Sequence, residues 1–367
     1  MELIYLPDEL IAEIMVLISD PNDYHSWVLT CRRFASVGTA ITKTMQRNYT
    51  YKLISHHDNG KIKDITPICV NQKHGIGEAW HPNGKPEIKV QWNFGKKDGI
   101  EEWWYENGNL DYILTWVDGK EHGEERHWYE SGNLKTIKYW VHGKLDGDYT
   151  IYRESGKIQS IEKYQNGLHH GLEMGWHENG QQKYRIQWKH GQKDGTEEWW
   201  HSNGQLITML HWLQGAMDGL EQRWYNDGQI KSRCDWKDGK RWGKEEHWHP
   251  NGQQCTVRFW YYGVKNGIEQ HWYPDGKQQR IMDWFDNKQR GHDEKYYPDG
   301  GRDTLIVWKT GFKYSEEEWY PDGLKKSITR WRKADIIYQE KWDPTGKREQ
   351  IRKWFDGIKY SEVKTTI

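Results

Sequence analysis

One residue in this sequence recurs on a fixed beat. Glycine stands at Gly60, Gly84, Gly108, Gly132, Gly156, Gly180, Gly204, Gly228, Gly252, Gly276 and Gly300, always 24 residues apart, mostly closing an x-Asn-Gly or x-Asp-Gly signal. Gly323 and Gly346 follow at one residue less. A period of this length marks an array of small supersecondary units, each burying its apolar face against its neighbours rather than in a shared globular core. The composition fits that reading. Only 35% of the 367 residues are hydrophobic and the mean hydropathy is −1.09, yet there are 25 Trp and 22 Tyr. Aliphatic side chains are too scarce for a wide two-layer interior, and rings are too many for disorder.

Numbered from the repeating glycine, position −4 is Trp in most units (Trp80, Trp104, Trp128, Trp176 and onward, with Tyr at Tyr152 and Tyr296). From Gly84 onward, position +8 is Trp in all but Tyr164 (Trp92, Trp116, Trp140, Trp188 and onward). The two columns hold 21 of the 25 tryptophans, leaving Trp27, Trp103, Trp199 and Trp242 outside them. Runs rich in Trp, Tyr, Ile and Thr flank each turn, which predicts β-hairpins. Pro-Asn-Gly, Pro-Asp-Gly and Glu-Asn-Gly suit a type I turn closed by a left-handed glycine, a three-residue loop with a bulge. That loop sets −4 opposite +2 and predicts that both ring columns line one face, with Ile88, Val90, Leu114, Ile186 and Leu210 between them. A second glycine pair, Gly-x-x-x-Gly, is expected to form the return loop. The expected fold is mainly β: an elongated single-layer antiparallel sheet of about 12–13 hairpin units over residues 51–367, after a small helical domain at 1–50.

The units resemble MORN (membrane occupation and recognition nexus) repeats in a longer variant, as in Gly99-Ile100-Glu101-Glu102-Trp103-Trp104-Tyr105-Glu106-Asn107-Gly108. The longer pitch and the regular tryptophan depart from the shorter unit of that family and weaken the transfer of its lipid binding. The first fifty residues resemble an F-box: Leu6-Pro7-Asp8-Glu9-Leu10 with Glu13-Ile14, then Asp20-Pro21-Asn22-Asp23, then Leu29-Thr30-Cys31-Arg32-Arg33-Phe34. The spacing of Leu10, Ile11 and Ile14 is helical. The resemblance implies docking onto the Skp-type adaptor of a cullin–RING ubiquitin ligase, through Leu6, Pro7, Leu10, Ile11 and Ile14. A plain helical cap over the first sheet edge would produce the same pattern. The pairing of the two motifs is similar to that in families of large amoeba-infecting DNA viruses.

No catalytic constellation emerges. Position −7 is a carboxylate in nine units (Glu101, Glu125, Glu173, Glu197, Glu221, Glu245, Glu269, Asp293, Glu316). An active site is singular, so this column reads as a polar ladder bridging to Lys, Arg, His or backbone groups. The 18 histidines form no zinc-like set, so no metal and no cofactor are expected. Trp103 and Trp199, at −5, are the candidate sheet-surface contacts. A net charge of −1 gives no global footprint for nucleic acid. Four cysteines without CxxC spacing, and a start at Met1-Glu2-Leu3-Ile4 without the basic flank of a secretory signal, lead us to expect a cytoplasmic setting: host cytoplasm or virion, if viral. The expectation is a non-enzymatic protein: an F-box-like adaptor whose sheet binds a target protein, or a structural or virion scaffold with the head as cap. Membrane-surface docking is a weaker third reading.

Overall fold

The computed structural model describes residues 50–69, 72–355 and 358–364; the F-box-like segment lies outside them. The chain divides after His122 into two compact units.

In the first unit the strands Thr50–His56, Ile62–Cys69, Gly75–Trp80, Pro86–Asn93, Lys96–Trp104 and Leu110–Val117 pair antiparallel, each with the next. In the second the same meander runs from Gly123–Trp128 to Ile358–Lys364. The turns behave as their chemistry dictates. The Gly84 N–H donates to the His81 carbonyl at 2.8 Å and the His81 N–H to the Lys85 carbonyl at 2.9 Å, which encloses Pro82, Asn83 and Gly84 as a three-residue loop. Gly84 closes it at φ +90°, where a side chain would strain the backbone. The Asn83 carboxamide oxygen accepts the Lys85 N–H at 2.8 Å, which is why Asn or Asp precedes the glycine.

The face assignment differs from expectation. Trp80 does sit opposite Pro86, as −4 opposite +2 requires, but the next pair is Ala79 with Ile88. Glu87 is an extra residue, a bulge repeated after every such turn, for example between Arg223 and Trp224. It shifts the second strand by one, so +4, +6 and +8 share a face with −5 and −7. Within each unit the +8 ladder, with Val90 and Leu114 beside it in the first and Ile186 in the second, therefore lines one face. The −4 ladder lies on the other, where Arg185 pairs with Glu198 and reaches over Trp200, and Arg233 pairs with Glu246 and reaches over Trp248.

The expected return loop is also more ordered than a loop. Asn93 pairs with Lys96 around Phe94 and Gly95, both at positive φ, a two-residue turn whose twist matches the strands. The glycine four residues on is a bulge within the following strand. Ile186 faces Glu197 and Trp188 faces Lys193, so Asp194, Gly195 and Thr196 oppose Gln187 alone. In the shortened unit Val307 faces Ser315 and Trp308 faces Lys313, leaving only Tyr314 unmatched. The missing residue is one of the bulge, so shortening leaves the ladders in register.

Successive Asn-Gly turns are tied together by the −3 side chains. His81 Nε2–H donates to the Trp104 carbonyl at 2.8 Å, His177 to Trp200 at 2.9 Å, and the Tyr225 hydroxyl to Trp248 at 2.7 Å. This explains why most units hold His or Tyr there: both carry a donor at the end of a ring long enough to reach the next turn, and Arg153 reaches the Trp176 carbonyl in the same way. Tyr225→Phe is expected to cost about 0.5–1.5 kcal/mol in urea unfolding while the far-UV spectrum is unchanged.

Candidate interaction surface

The −7 carboxylates lie on the +8 face, each between two strands whose +6 residues press on it. Glu101 faces Val90 on one side and Leu114 on the other; Glu197 faces Ile186 and Leu210. Glu101 is 1% exposed and Glu245 3%. Burial of this depth requires that every carboxylate oxygen accept. The indole N–H of the following +8 tryptophan supplies one bond: Trp116 to Glu101 at 2.7 Å, Trp188 to Glu173 at 2.7 Å, Trp236 to Glu221 at 2.7 Å and Trp260 to Glu245 at 2.6 Å. The −5 residue supplies another: Trp103 to Glu101 at 2.9 Å, Trp199 to Glu197 at 2.8 Å, His247 to Glu245 at 2.8 Å. A lysine four residues upstream adds charge, as with Lys97 to Glu101 and Lys193 to Glu197, both at 2.7 Å.

Burial alone would raise these carboxyls. The donors outweigh it, with His247, Trp260 and the Arg258 and Arg241 charges holding Glu245 down to about 2, and comparable sets holding Glu125 and Glu269 there. The column is the polar ladder expected from the sequence, and it holds the tryptophan ladder in place. Not every indole reaches its acid. Glu269 takes Lys265 and His271, and Asp293, one methylene shorter, takes Arg280, while the Trp212, Trp284 and Trp308 N–H groups are buried unpaired.

One unit shows the rule by exchanging its parts. There −7 is Tyr149, +6 is Glu162 directly across the strands from it, and +8 is Tyr164, whose hydroxyl donates to Glu162 at 2.8 Å. The acid has crossed to the facing strand and its ring donor is retained. In the sequence only Tyr164 stands out, as a Tyr in a Trp column; the compensating Glu162 was the available signal.

Trp103 and Trp199 are thus half-buried, with their N–H groups engaged in the ladder and their rings against Tyr112 (5.7 Å) and Tyr184 (5.0 Å). His247 and His249 diverge, the first to Glu245 and the second to the Trp272 carbonyl. Among the described residues no group of three His, Cys, Asp or Glu side chains could hold a metal ion. Leu6, Pro7, Leu10, Ile11 and Ile14 lie outside the described residues.

Trp242, the remaining described tryptophan off the ladders, belongs to a cluster with exposed rings. It packs on Tyr261 (5.0 Å) and edge-on to Tyr262 (4.7 Å), and Lys237 covers its ring at 5.5 Å. Tyr261 is 53% exposed, Phe285 54% and Phe312 55%. All three belong to the two-residue-turn edge of the second unit.

Six segments match the MORN repeat variant. They are residues 73–93, 97–118, 121–142, 145–166, 193–214 and 217–238. No curated protein matches the chain. Among solved structures it is similar to a chain of the Photorhabdus luminescens Tc holotoxin pore, at 9% identity over 85% of this chain and 20% of that one, with a TM-score of 0.16. Chains of TcdB2-TccC3 (9%, 84% of this chain and 21% of that one, TM-score 0.17) and TcdB2-TccC3-Cdc42 (10%, 88% and 22%, TM-score 0.17) are matched similarly. The chain spans about a fifth of the length of these toxin chains, and at such scores neither fold nor function passes between them.

Proposed function

We propose that this chain is a non-enzymatic interaction protein: the MORN-type sheet holds a target polypeptide, and the F-box-like head brings it to a cullin–RING ligase through a Skp-type adaptor. One observation carries the first half. Most of the recurring acids are buried and tied to neighbouring side chains, as Glu221 is to Trp236 and Glu245 to Trp260, while exposed positions such as Tyr261, Phe285 and Phe312 differ from unit to unit. A uniform scaffold with a varied exterior is how repeat proteins present binding surfaces. The second half rests on the ordered set from Leu6 to Phe34.

Affinity purification of the full chain tests both. The expected result is capture of a discrete protein target together with the adaptor, and loss of the adaptor alone in Leu10→Asp or Ile14→Asp. Wild-type chain that captures the target without adaptor would sink the ligase role and leave the head as a cap. Stoichiometric presence in purified particles would favour a structural scaffold.

A further inference from the structure

The meander places every two-residue turn of the second unit on one edge, and charge is not spread evenly along it. In the segments 141–146, 165–170, 189–194 and 213–218, Lys/Arg against Asp/Glu stand at one to one, none to none, two to one and none to one. In 237–242, 261–266, 285–290, 309–314 and 332–337 they stand at three to one, one to none, two to one, two to none and two to one. The chain-wide charge of −1 conceals this segregation. Lys237, Lys240, Lys288, Lys309 and Lys333 are exposed and pair with no carboxylate among the described residues.

The exposed rings share that stretch. The turns are contiguous: the Gly263 N–H donates to the Arg241 carbonyl at 2.9 Å, and Asn287 is bonded to Lys265 through backbone N–H and side-chain oxygen, at 3.1 and 2.7 Å. Tyr261, Tyr262, Phe285 and Phe312 therefore line this edge with Lys288 and Lys309, which have no carboxylate partner, among them, whereas Lys265, Arg290 and Lys313 pair with Glu269, Asp283 and Glu316. We infer that this edge, from Lys237 to Lys333, docks an acidic polypeptide segment that carries apolar side chains, the target class for the interaction reading on which the inference rests. Charge complementarity selects an acidic partner. The rings decide between partner classes. Base stacking needs open ring faces. Here Lys237 lies over Trp242, Arg290 over Phe285 at 5.0 Å and Lys309 over Tyr314 at 3.5 Å, while Tyr261 and Tyr262 turn edge-on to each other. Cations on ring faces beside exposed apolar rims suit carboxylates interspersed with hydrophobic side chains.

The test titrates the full chain into a fluorescein-labelled random copolymer of glutamate and tyrosine, with polyglutamate and a single-stranded thymidine oligonucleotide alongside. The copolymer is expected to bind tightest, weakening as salt is raised. Lys288→Glu/Lys309→Glu and, separately, Tyr261→Ser/Phe285→Ser should each weaken it at least about ten-fold. Lys144→Glu/Lys189→Glu, the same charge change elsewhere on this edge, should leave it within about two-fold. Unchanged thermal unfolding would show that the variants are folded. Equal loss in both lysine pairs, polyglutamate binding as well as the copolymer, or the oligonucleotide binding tightest would each overturn the inference. If the wild type and Lys288→Glu/Lys309→Glu capture the same cellular target while the copolymer does not bind, the edge assignment fails and the interaction reading stands.

Discussion

Replacing Glu245 by leucine should unfold the hairpins around it more than any single change on the sheet surface. The carboxylate accepts from His247 and from Trp260, and faces the guanidiniums of Arg258 at 3.6 Å and Arg241 at 3.8 Å. Leucine removes the acceptor and leaves the donors where they are, held by the strand ladder. Deleting one partner of a buried charged cluster costs about 3–5 kcal/mol, because the remaining groups stay desolvated without compensation. In an array where each unit contacts only its neighbours, that loss is local first. Hydrogen exchange should therefore show Lys240–Trp248 and Gln254–Tyr261 losing protection, while strands several units away keep theirs. Glu178→Gln, in an exposed turn, is the control and should move stability by less than about 0.5 kcal/mol. A Glu245→Leu protein with the same protection pattern as the control would mean that the carboxylates are passengers rather than the ladder's anchors.

The parts of this structure that could be read from the sequence are those set within a few residues. Pro82-Asn83-Gly84 determines its own loop, because the proline, the Asx bond and the left-handed glycine act inside one turn. The face of each ring column could not be read that way. It depends on a bulge after the turn, and Glu87 and its equivalents carry no residue type that signals one. The carboxylate column was visible as a period, but its main donor, the +8 indole, lies 15 residues on and meets it only across the hairpin. The exchange of Tyr149 and Glu162 was hidden for the same reason, since each looks like an exception in its own column. Averaging works against detection too. A chain-wide charge near zero is a sum over two edges and two faces, and the basic stretch from Lys237 to Lys333 appears only when the turns are sorted by edge.

Acid should dismantle the ladder within a defined window. Glu125, Glu245 and Glu269 are held down to about 2 despite burial that alone would raise them, because each carboxylate is ringed by donors and cations. The folded state thus binds fewer protons than the unfolded chain, where these groups titrate in the ordinary range near 4.3. Stability is fully present above that range and is lost as pH falls towards 2, each carboxylate contributing on the order of 3 kcal/mol. Three sites losing their share together amount to more than the stability of a typical hairpin pair, so the transition should be steep. Intrinsic tryptophan fluorescence is the natural probe, since Trp140 and Trp260 donate to two of the three carboxylates. The expected result is an unchanged spectrum down to about pH 4.5 and a shift to longer wavelength between there and pH 2. Salt at neutral pH should not reproduce it, because pairs this buried are poorly screened. Emission that moves above pH 5, or that holds through pH 2, would show that the carboxylate–indole bonds do not govern the sheet.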